Sequence, residues 1–488
     1  MILLGLIIPA IAIIFESYPR LVNRKFGVDI WTHLLYLREY RKQNRIPQKI
    51  THGFLVPGVY DYPPAFIFIM SKFPEKLVKK YEFLFSPIFD ALHLFLIFIL
   101  IVSITQNIYL ALLTQLLYVV TPIVVLENSS ATPRSLGYTL FSIVFMLLYF
   151  FGVSQNFYYF LAAILAGSLI FLSHRFTSQG FLFYSVIFSL YFLTPNFIIA
   201  FVLSFLLAIV FSRKFYLTVL RGHLGNLKFW YQVIAFRFYH QVKGESRKNS
   251  SNDFVFNLYN QFLKFPPFIL AITNPWVIAS VYGILIGTHS SLVSYFIVWV
   301  ITSYVLAILT LWVPKLRFLG EGQRYLELSA FPAAFVAAQL FLEFFNSKNP
   351  FVVALYSFIS TLCIVTIVVI QRKAIIKDRL RTITPELSNM FVYLRALKKK
   401  PKLLCIPHQI TTNVIYHTGC PVFVNADYTH ISRISDVYPY LKLPIKKIMK
   451  KYGLEMVLLN EEYATVKDLR IHKYKIVKRF SNYVLISI

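Results

Sequence analysis

Eleven long runs of apolar residues constrain this chain more than any other feature of its sequence. The hydrocarbon core of a bilayer is about 30 Å thick, and a helix of about 20 apolar residues crosses it while satisfying its own backbone hydrogen bonds. The runs lie at 2–17, 86–104, 108–126, 135–152, 156–172, 178–193, 196–212, 266–286, 290–313, 326–345 and 351–371. The sequence therefore predicts an α-helical polytopic membrane protein with about eleven transmembrane helices.

The charged residues are strongly unbalanced in sign. They make up only 14% of the chain, yet 49 Lys and Arg stand against 21 Asp and Glu, which gives a formal net charge of +28. Such an excess indicates anionic partners, either membrane lipid headgroups or a phosphate-bearing substrate. The sequence has no compact basic domain and no recognisable nucleic-acid-binding motif, so we do not expect a nucleic-acid partner.

Ionisable residues are concentrated in every second connection between the apolar runs. They occupy 16–85, 127–134, 173–179, 212–264, 314–324 and the C-terminal region, whereas the other connections are short and nearly uncharged. One face of the membrane would then carry the polar chemistry, as an enzyme acting at one surface requires. A transporter is expected to place ionisable groups near the midplane instead. We expect a membrane domain at 1–371, with long loops at 17–85 and 212–264.

The region after the last apolar run changes character twice. Residues 372–402 are basic and amphipathic and predict a linker helix, and residues 403–488 predict a small soluble α/β domain. Strands are expected from Leu403, Pro421 and Met456, with helices from Thr411 and Ile445 between them. This order is typical of a parallel sheet fragment. Cys405 and Cys420 are expected to be buried thiols, or a disulfide if the region faces an oxidising compartment.

The first long loop begins with an acidic residue ahead of an amphipathic segment. Asp29 follows the first apolar run, and Trp31 and His33 come within the next turn. Asp29 can cap the helix that it begins, or it can be a functional carboxylate at the membrane edge. Further along, Tyr62 precedes Pro63-Pro64, and prolines at such a position fix a helix start.

Four further sites on the same face carry candidate functional residues: one has a carboxylate, and the other three have basic groups suited to binding an anion. Glu127 ends the third run, Arg134 opens the fourth, His174-Arg175 follow the fifth, and Arg324 opens the tenth. An arginine at a membrane edge can simply extend to the headgroups. It can also bind phosphate through its planar two-pronged guanidinium group.

The order of these motifs resembles that of the GT-C superfamily, the polytopic glycosyltransferases that use polyprenyl-phosphate sugars. Within it, the chain is loosely similar to oligosaccharyltransferase catalytic subunits and protein mannosyltransferases. The Trp-Trp-Asp-Tyr-Gly motif of oligosaccharyltransferases is absent, and His408-Gln409 stand in its place. Recognition of a peptide sequon is therefore not expected.

The resemblance implies a role for each candidate residue. Asp29 would be the general base, and Glu127 would orient the acceptor or share a divalent metal ion, Mg²⁺ or Mn²⁺, with Asp29. The donor phosphate would be held by Arg324, His174, Arg175 and Arg134. The acceptor would be contacted or supported by His33, Tyr62 and His408.

The resemblance also implies an activity. The chain would be an inverting hexosyl- or pentosyltransferase that moves a sugar from a polyprenyl-phosphate donor to a lipid, glycan or protein acceptor. Two alternatives remain open: a transporter, flippase or ligase-like protein for lipid-linked glycans, and a non-catalytic relative that binds polyprenyl lipids. A transporter predicts internal repeats and polar midplane residues, and mutation of the carboxylates separates the binder from an enzyme.

The resemblance and the charge distribution disagree about orientation. Members of the superfamily carry their catalytic face outside the cytoplasm, in the lumen, periplasm or cell envelope. The positive-inside rule would place this basic face in the cytoplasm, but the rule applies mainly to loops shorter than about 60 residues. The first loop and the C-terminal region exceed that length, so we expect an extracytoplasmic catalytic face.

Overall fold

The computed structural model describes residues 3–27, 29–46, 49–50, 58–236, 239–244, 254–286, 290–423, 434–471 and 473–488. Its α-helices are α1 (Leu4–Val22), α2 (Asp29–Gln43), α3 (Ala65–Ser71), α4 (Glu75–Tyr81), α5 (Phe85–Thr105), α6 (Ile108–Val119), α7 (Pro122–Asn128), α8 (Arg134–Ser154), α9 (Phe157–Ser173), α10 (Arg175–Tyr191), α11 (Asn196–Phe211), α12 (Phe215–Val233), α13 (Phe254–Lys264), α14 (Pro266–Thr273), α15 (Val277–Ile286), α16 (Ser291–Trp312), α17 (Ala330–Asn346), α18 (Pro350–Gln371), α19 (Pro385–Ala396), α20 (Thr411–Thr418) and α21 (Ile445–Tyr452). Its strands are β1 (Lys49–Ile50), β2 (Gly58–Val59), β3 (Leu403–Ile406), β4 (Met456–Asn460), β5 (Lys475–Phe480) and β6 (Tyr483–Ser487).

The chain divides into two compact units that interleave along the sequence. The first, here called the membrane unit, comprises Met1–Val22, Tyr81–Tyr216 and Leu258–Ile375. The second, the loop unit, comprises Asn23–Lys80, Leu217–Asn257 and Ile376–Ile488. The loop unit thus gathers both long loops and the C-terminal region.

The helices carry the apolar surface expected of a membrane protein. Within the described residues, six helices are long and apolar enough to cross a bilayer, or up to nine if each of three sharply bent helix pairs is one span. Large apolar side chains on them are open to the surroundings; Phe351 and Phe358 of α18, for example, are 68% and 66% exposed. Exposing such an apolar surface to water is unfavourable, whereas lipid solvates it. The chain is therefore an integral membrane protein.

The number of spans differs from the expected eleven. Every predicted run coincides with a helix or a bent helix pair, but α9 and α10 have only 17 residues each. The pairs α6–α7, α11–α12 and α14–α15 bend by 63°, 119° and 111°. The count of eleven is therefore not confirmed, because hydropathy alone does not reveal where a helix is too short or breaks.

The uncharged connections are tight turns with a shared local chemistry. Gln106 and Gln155 end their helices in the left-handed region, with φ of 55° and 53°. The next residue, Asn107 or Asn156, caps the following helix by accepting from the backbone N–H of Leu110 or Tyr158. An asparagine cap satisfies an N–H that the helix leaves without a partner, so two or three residues suffice to reverse the chain.

The C-terminal sheet is mixed. Its strand order is β3-β4-β6-β5; β3 and β4 are parallel, as predicted, and the other two pairs are antiparallel. The hairpin of β5 and β6 was not predicted. The expected strand from Pro421 is seen only as a bridge from Val422 to Leu403, and its continuation lies outside the described residues.

One hydrophobic core holds the sheet and neighbouring helices of the loop unit. Val457 and Val484 from the sheet pack with Ile448 of α21 and with Phe229 of α12. Residues 372–402, expected to form one linker helix, contain a π-helical turn at Arg372–Ile376 followed by α19. All three cysteines of the chain lie within the described residues, and each is buried and free, so the alternative of a disulfide is not realised.

Candidate functional site

Asp29 is the first residue of α2 and its side chain is exposed. The segment before it is tied down, because Gly27 N donates to Arg381 O at 3.0 Å and Trp31 Nε1 donates to Gly27 O at 2.8 Å. Gly27 has φ of 137°, which favours glycine. The backbone around Asp29 is thus fixed while its carboxylate stays accessible.

His33 lies one turn after Asp29 and is buried. Its ring meets Tyr62 and Phe66 edge-on, with centroids 5.4 and 5.3 Å away. Burial lowers the pKa of His33 to about 4, and the nearby carboxylate of Asp29 opposes that shift only in part. His33 is therefore a neutral imidazole near pH 7. Tyr62 supports it from the Pro63-Pro64 segment that leads into α3.

The membrane unit brings together two of the predicted phosphate-binding arginines. Arg134 forms an ion pair with Glu127, and Arg324 Nη2 lies 2.7 Å from Glu321 Oε2. Both arginines also interact electrostatically with Glu327, which is 4% exposed. We call these five residues the arginine cluster. Sequence reasoning did not assign a role to Glu327, although its spacing of three residues from Arg324 was a usable signal.

His174 and Arg175 lie where α10 begins, next to the start of α8. His174 Nδ1 is 2.9 Å from Thr177 Oγ1, and its ring is 6.1 Å from that of Tyr138. A Cβ at Gly137 would come within 2.6 Å of Thr177 Oγ1, so only glycine allows this approach. Arg175 is nearly buried in the same region.

Tyr138 connects this segment to the arginine cluster. Its hydroxyl interacts electrostatically with Glu327, Arg134 and Arg324. The 3₁₀ stretch Gly322–Ser329 that carries Arg324 is held in place because Gln179 Nε2 donates to Tyr325 OH at 2.7 Å and Trp299 Nε1 donates to Leu328 O at 2.8 Å. Tyr138 thus contacts the ring of His174 and interacts electrostatically with Arg134 and Arg324.

His408 is set into the C-terminal part of the loop unit. Its backbone N–H donates to Gln241 Oε1 at 2.8 Å, and its ring packs 5.1 Å from that of Tyr438. Burial lowers the pKa of His408 to about 4. These contacts are those of a packed, neutral side chain, and its role toward an acceptor stays a prediction.

The described residues contain no group of three or more His, Cys, Asp or Glu side chains that could hold a metal ion. Glu127, one of the two expected ligands, has its carboxylate paired with Arg134. A guanidinium and a metal ion compete for the same carboxylate oxygens. Glu127 is thus not a preformed ligand for Mg²⁺ or Mn²⁺, and the expected role of Asp29 and Glu127 at such an ion remains a prediction.

Solved structures of an archaeal enzyme share this architecture. The apo oligosaccharyltransferase of Archaeoglobus fulgidus aligns over 95% of this chain and 71% of its own, with a TM-score of 0.61 and 11% identity. The same organism's oligosaccharyltransferase AglB, in complex with an inhibitory peptide and a dolichol-phosphate, aligns over 95% and 70%, with a TM-score of 0.58 and 11% identity.

A complex of the Archaeoglobus fulgidus oligosaccharyltransferase with Zn and sulfate aligns over 94% of this chain and 68% of its own, with a TM-score of 0.58 and 13% identity. No protein-family model and no curated protein matches the sequence. At such identities the likeness is one of fold.

Proposed function

We propose that this chain, which has the GT-C fold, is an integral-membrane glycosyltransferase that takes its sugar from a polyprenyl-phosphate-linked donor. The observation that carries the proposal is the arginine cluster. Arg134 is the first residue of α8, and Arg324 lies in the 3₁₀ stretch Gly322–Ser329 before α17. Both arginines interact electrostatically with Glu327. The dolichol-phosphate bound by the structurally similar AglB supports a lipid phosphate as ligand.

The donor phosphate would replace carboxylates as the partner of the two arginines. Glu127 and Glu321 pair with them in the present structure, and two oxygens of a phosphate can accept from the same two-pronged guanidinium group. As the bond from the anomeric carbon to the phosphate oxygen breaks, negative charge grows on the leaving polyprenyl phosphate. Fixed guanidinium groups stabilise that charge. His174 and Arg175 would complete the phosphate site.

Asp29 would activate the acceptor. Its exposed carboxylate would take the proton of an acceptor hydroxyl while the hydroxyl oxygen bonds to the anomeric carbon, and the polyprenyl phosphate would leave from the opposite face with inversion. An ionised aspartate is a weak base in water, so its contribution to the rate would come from being held next to the acceptor hydroxyl. His33, one turn further along α2, and Tyr62, whose ring contacts that of His33, would hold the start of the helix. Glu127 would orient the acceptor.

The acceptor would be a lipid, glycan or protein, and the polar face would lie outside the cytoplasm. The absence of the Trp-Trp-Asp-Tyr-Gly sequence from the chain argues against a sequon-containing peptide. His408, at the position where that motif would be expected, is a half-buried histidine.

A transfer assay with the full chain in liposomes tests the proposal. Polyprenyl-phosphate hexoses and pentoses with a radiolabelled sugar would be offered together with lipid and glycan acceptors. Label moving to an acceptor, with release of polyprenyl phosphate, supports the proposal. Movement of intact donor across the bilayer without cleavage would indicate a transporter, and donor binding without transfer would indicate a non-catalytic lipid-binding protein.

A further inference from the structure

Two carboxylates are buried against each other inside the membrane unit. Glu16 of α1 is 0% exposed and Asp90 of α5 is 1% exposed, and their side chains lie within hydrogen-bonding reach of each other. Tyr118 OH donates to Asp90 Oδ1 at 2.7 Å, and Asn128 Nδ2 donates to Glu16 Oε1 at 3.3 Å. Two ionised carboxylates have only acceptors to offer each other, so contact between them needs a positive charge.

The part of the chain that the structure describes places no such charge against the pair. The electrostatic neighbours of Glu16 and Asp90 are each other, Asn128 and Tyr118, and no basic side chain of the described residues is among them. Arg20, one turn further along α1, has its guanidinium 2.5 Å from Glu82 Oε1. Ionisable side chains inside membrane helices are costly and usually serve a function.

His93 does not supply the charge either. It lies one turn after Asp90 on α5 and is buried, with its ring nitrogens 3.1 Å from Tyr118 OH and 2.9 Å from Ser142 Oγ. Both ring nitrogens of His93 are therefore hydrogen-bonded to neutral hydroxyl groups. Tyr118 in turn interacts electrostatically with Glu327, which adds negative rather than positive charge nearby.

Three oxygens of the cluster lack a hydrogen-bond donor among the described residues. Glu16 Oε2, Asp90 Oδ2 and Asn128 Oδ1 are buried and have no hydrogen-bond partner among the described residues. Asn128 is 2% exposed, and its amide nitrogen donates a hydrogen bond to Glu16. The oxygen of the same amide group therefore lies close to the cluster. Carboxylate and amide oxygens are the ligands that small hard cations prefer.

We propose that Glu16, Asp90 and Asn128 form a binding site for one monovalent cation, a proton or an alkali ion, within the membrane unit. A bound cation would offset one of the two negative charges. Neutral donors then hold both carboxylates, Tyr118 through Asp90 and Asn128 through Glu16. The site shares no residue with the arginine cluster and does not depend on the proposed transfer activity.

Thermal stability of the whole purified protein tests the site. The melting temperature is measured from 1 to 300 mM NaCl at ionic strength held constant with choline chloride, and separately from pH 5 to 9. A site that binds only the folded state raises the melting temperature steadily with the logarithm of cation concentration. The matched variants are Glu16→Gln, Asp90→Asn and the double variant, which keep the shape and remove charge. Glu343→Gln, at an exposed carboxylate of α17, is the control.

The two possible occupants give different results. An alkali ion predicts that Na⁺ raises the melting temperature of the parent and the Glu343→Gln control but not of the double variant. A proton predicts no response to Na⁺, but a melting temperature that rises less, or falls more, between pH 5 and pH 9 in the parent than in the double variant, since His33 and His408 act alike in both proteins. If parent and double variant respond alike to both titrations, the site does not exist. Should the variants fail to fold, a parent with no response to either titration overturns the proposal.

Discussion

Asp29 is the residue on which the proposed chemistry depends most. We predict that Asp29→Asn lowers sugar transfer by about 10²–10⁴-fold, since that is the usual cost of removing a general base. Asparagine is about as good an N-cap as aspartate, so the melting temperature and donor binding should stay near those of the parent. Radiolabel transfer and thermal unfolding in detergent measure the two effects.

The matched control is Glu386→Gln, at a half-exposed carboxylate in the first turn of α19 in the same unit. It should leave transfer unchanged. Parental transfer by a normally folded Asp29→Asn variant would rule out the general-base role, whereas loss of folding would favour the helix-capping explanation.

Arg324 is predicted to bind the donor through its two-pronged guanidinium group. Arg324→Ala should weaken binding of a polyprenyl-phosphate analogue about 10- to 100-fold, which corresponds to the 1.5–3 kcal/mol of a hydrogen bond to a charged group. Arg324→Lys should also weaken binding, because one ammonium cannot replace the fork. Arg317→Lys, in the neighbouring 3₁₀ stretch Pro314–Leu319, is the control. Equal affinity of Arg324→Ala and the parent would instead indicate contact with headgroups only.

His33 should make the loop unit sensitive to acid. Its pKa is lowered from 6.5 to about 4 by burial, so the folded state disfavours the proton that the unfolded chain accepts. Stability is then complete above pH 6.5 and is lost as pH falls toward 4, by up to about 3 kcal/mol for such a shift.

The test compares His33→Gln with the parent at pH 7 and pH 4.5. The melting temperature should decrease less between pH 7 and pH 4.5 in the variant than in the parent. His408, whose pKa is also lowered to about 4, gives part of the same response, so His408→Gln is a parallel variant. An equal acid-induced decrease in the parent and in His33→Gln would exclude a contribution from His33.

At the scale of secondary-structure elements, the short turns of the membrane unit depend on asparagine caps. Asn156 Oδ1 accepts from Tyr158 N at 3.0 Å at the start of α9. Asn156→Ala should cost about 1 kcal/mol of unfolding free energy, the usual value of an N-cap, while Asn156→Asp should cost little. Chemical denaturation in detergent measures the difference. Equal destabilisation by Ala and Asp would show that the cap contributes little at this turn.

At the scale of the whole molecule, we predict that all parts of the loop unit lie on one side of the membrane. Asn44 and Ser481 are exposed residues of that unit, whereas Gln155 lies in an uncharged turn of the membrane unit. Cysteines placed at 44 and 481 should react with an impermeant maleimide from the same side, and one at 155 from the other. The native cysteines are buried, so background labelling should be low. Opposite labelling of 44 and 481 would mean that an unrecognised span separates them.

Much of the architecture could be predicted because it rests on local properties. The alternation of apolar helices with charged connections is seen in the structure, and its fold is similar to that of the Archaeoglobus fulgidus oligosaccharyltransferase. The hairpin of β5 and β6 was missed because β5, with sequence Lys475-Ile-Val-Lys-Arg-Phe480, has a largely exposed or half-exposed face and no clean apolar alternation. Only pairing with the buried β6 makes it a strand.

The sequence by itself determined where the apolar helices lie, which connections carry the charged residues, and where Asp29 stands relative to the first apolar run. Burial in lipid and exclusion of charge act on each segment separately, so they can be recognised one segment at a time. Tertiary structure alone decided that Arg134 and Arg324 converge on Glu327 and that Glu16 meets Asp90. These partners are up to 193 residues apart in the chain. Desolvation and counter-charge, which set the chemistry of an ionisable group, depend on neighbours that only packing supplies.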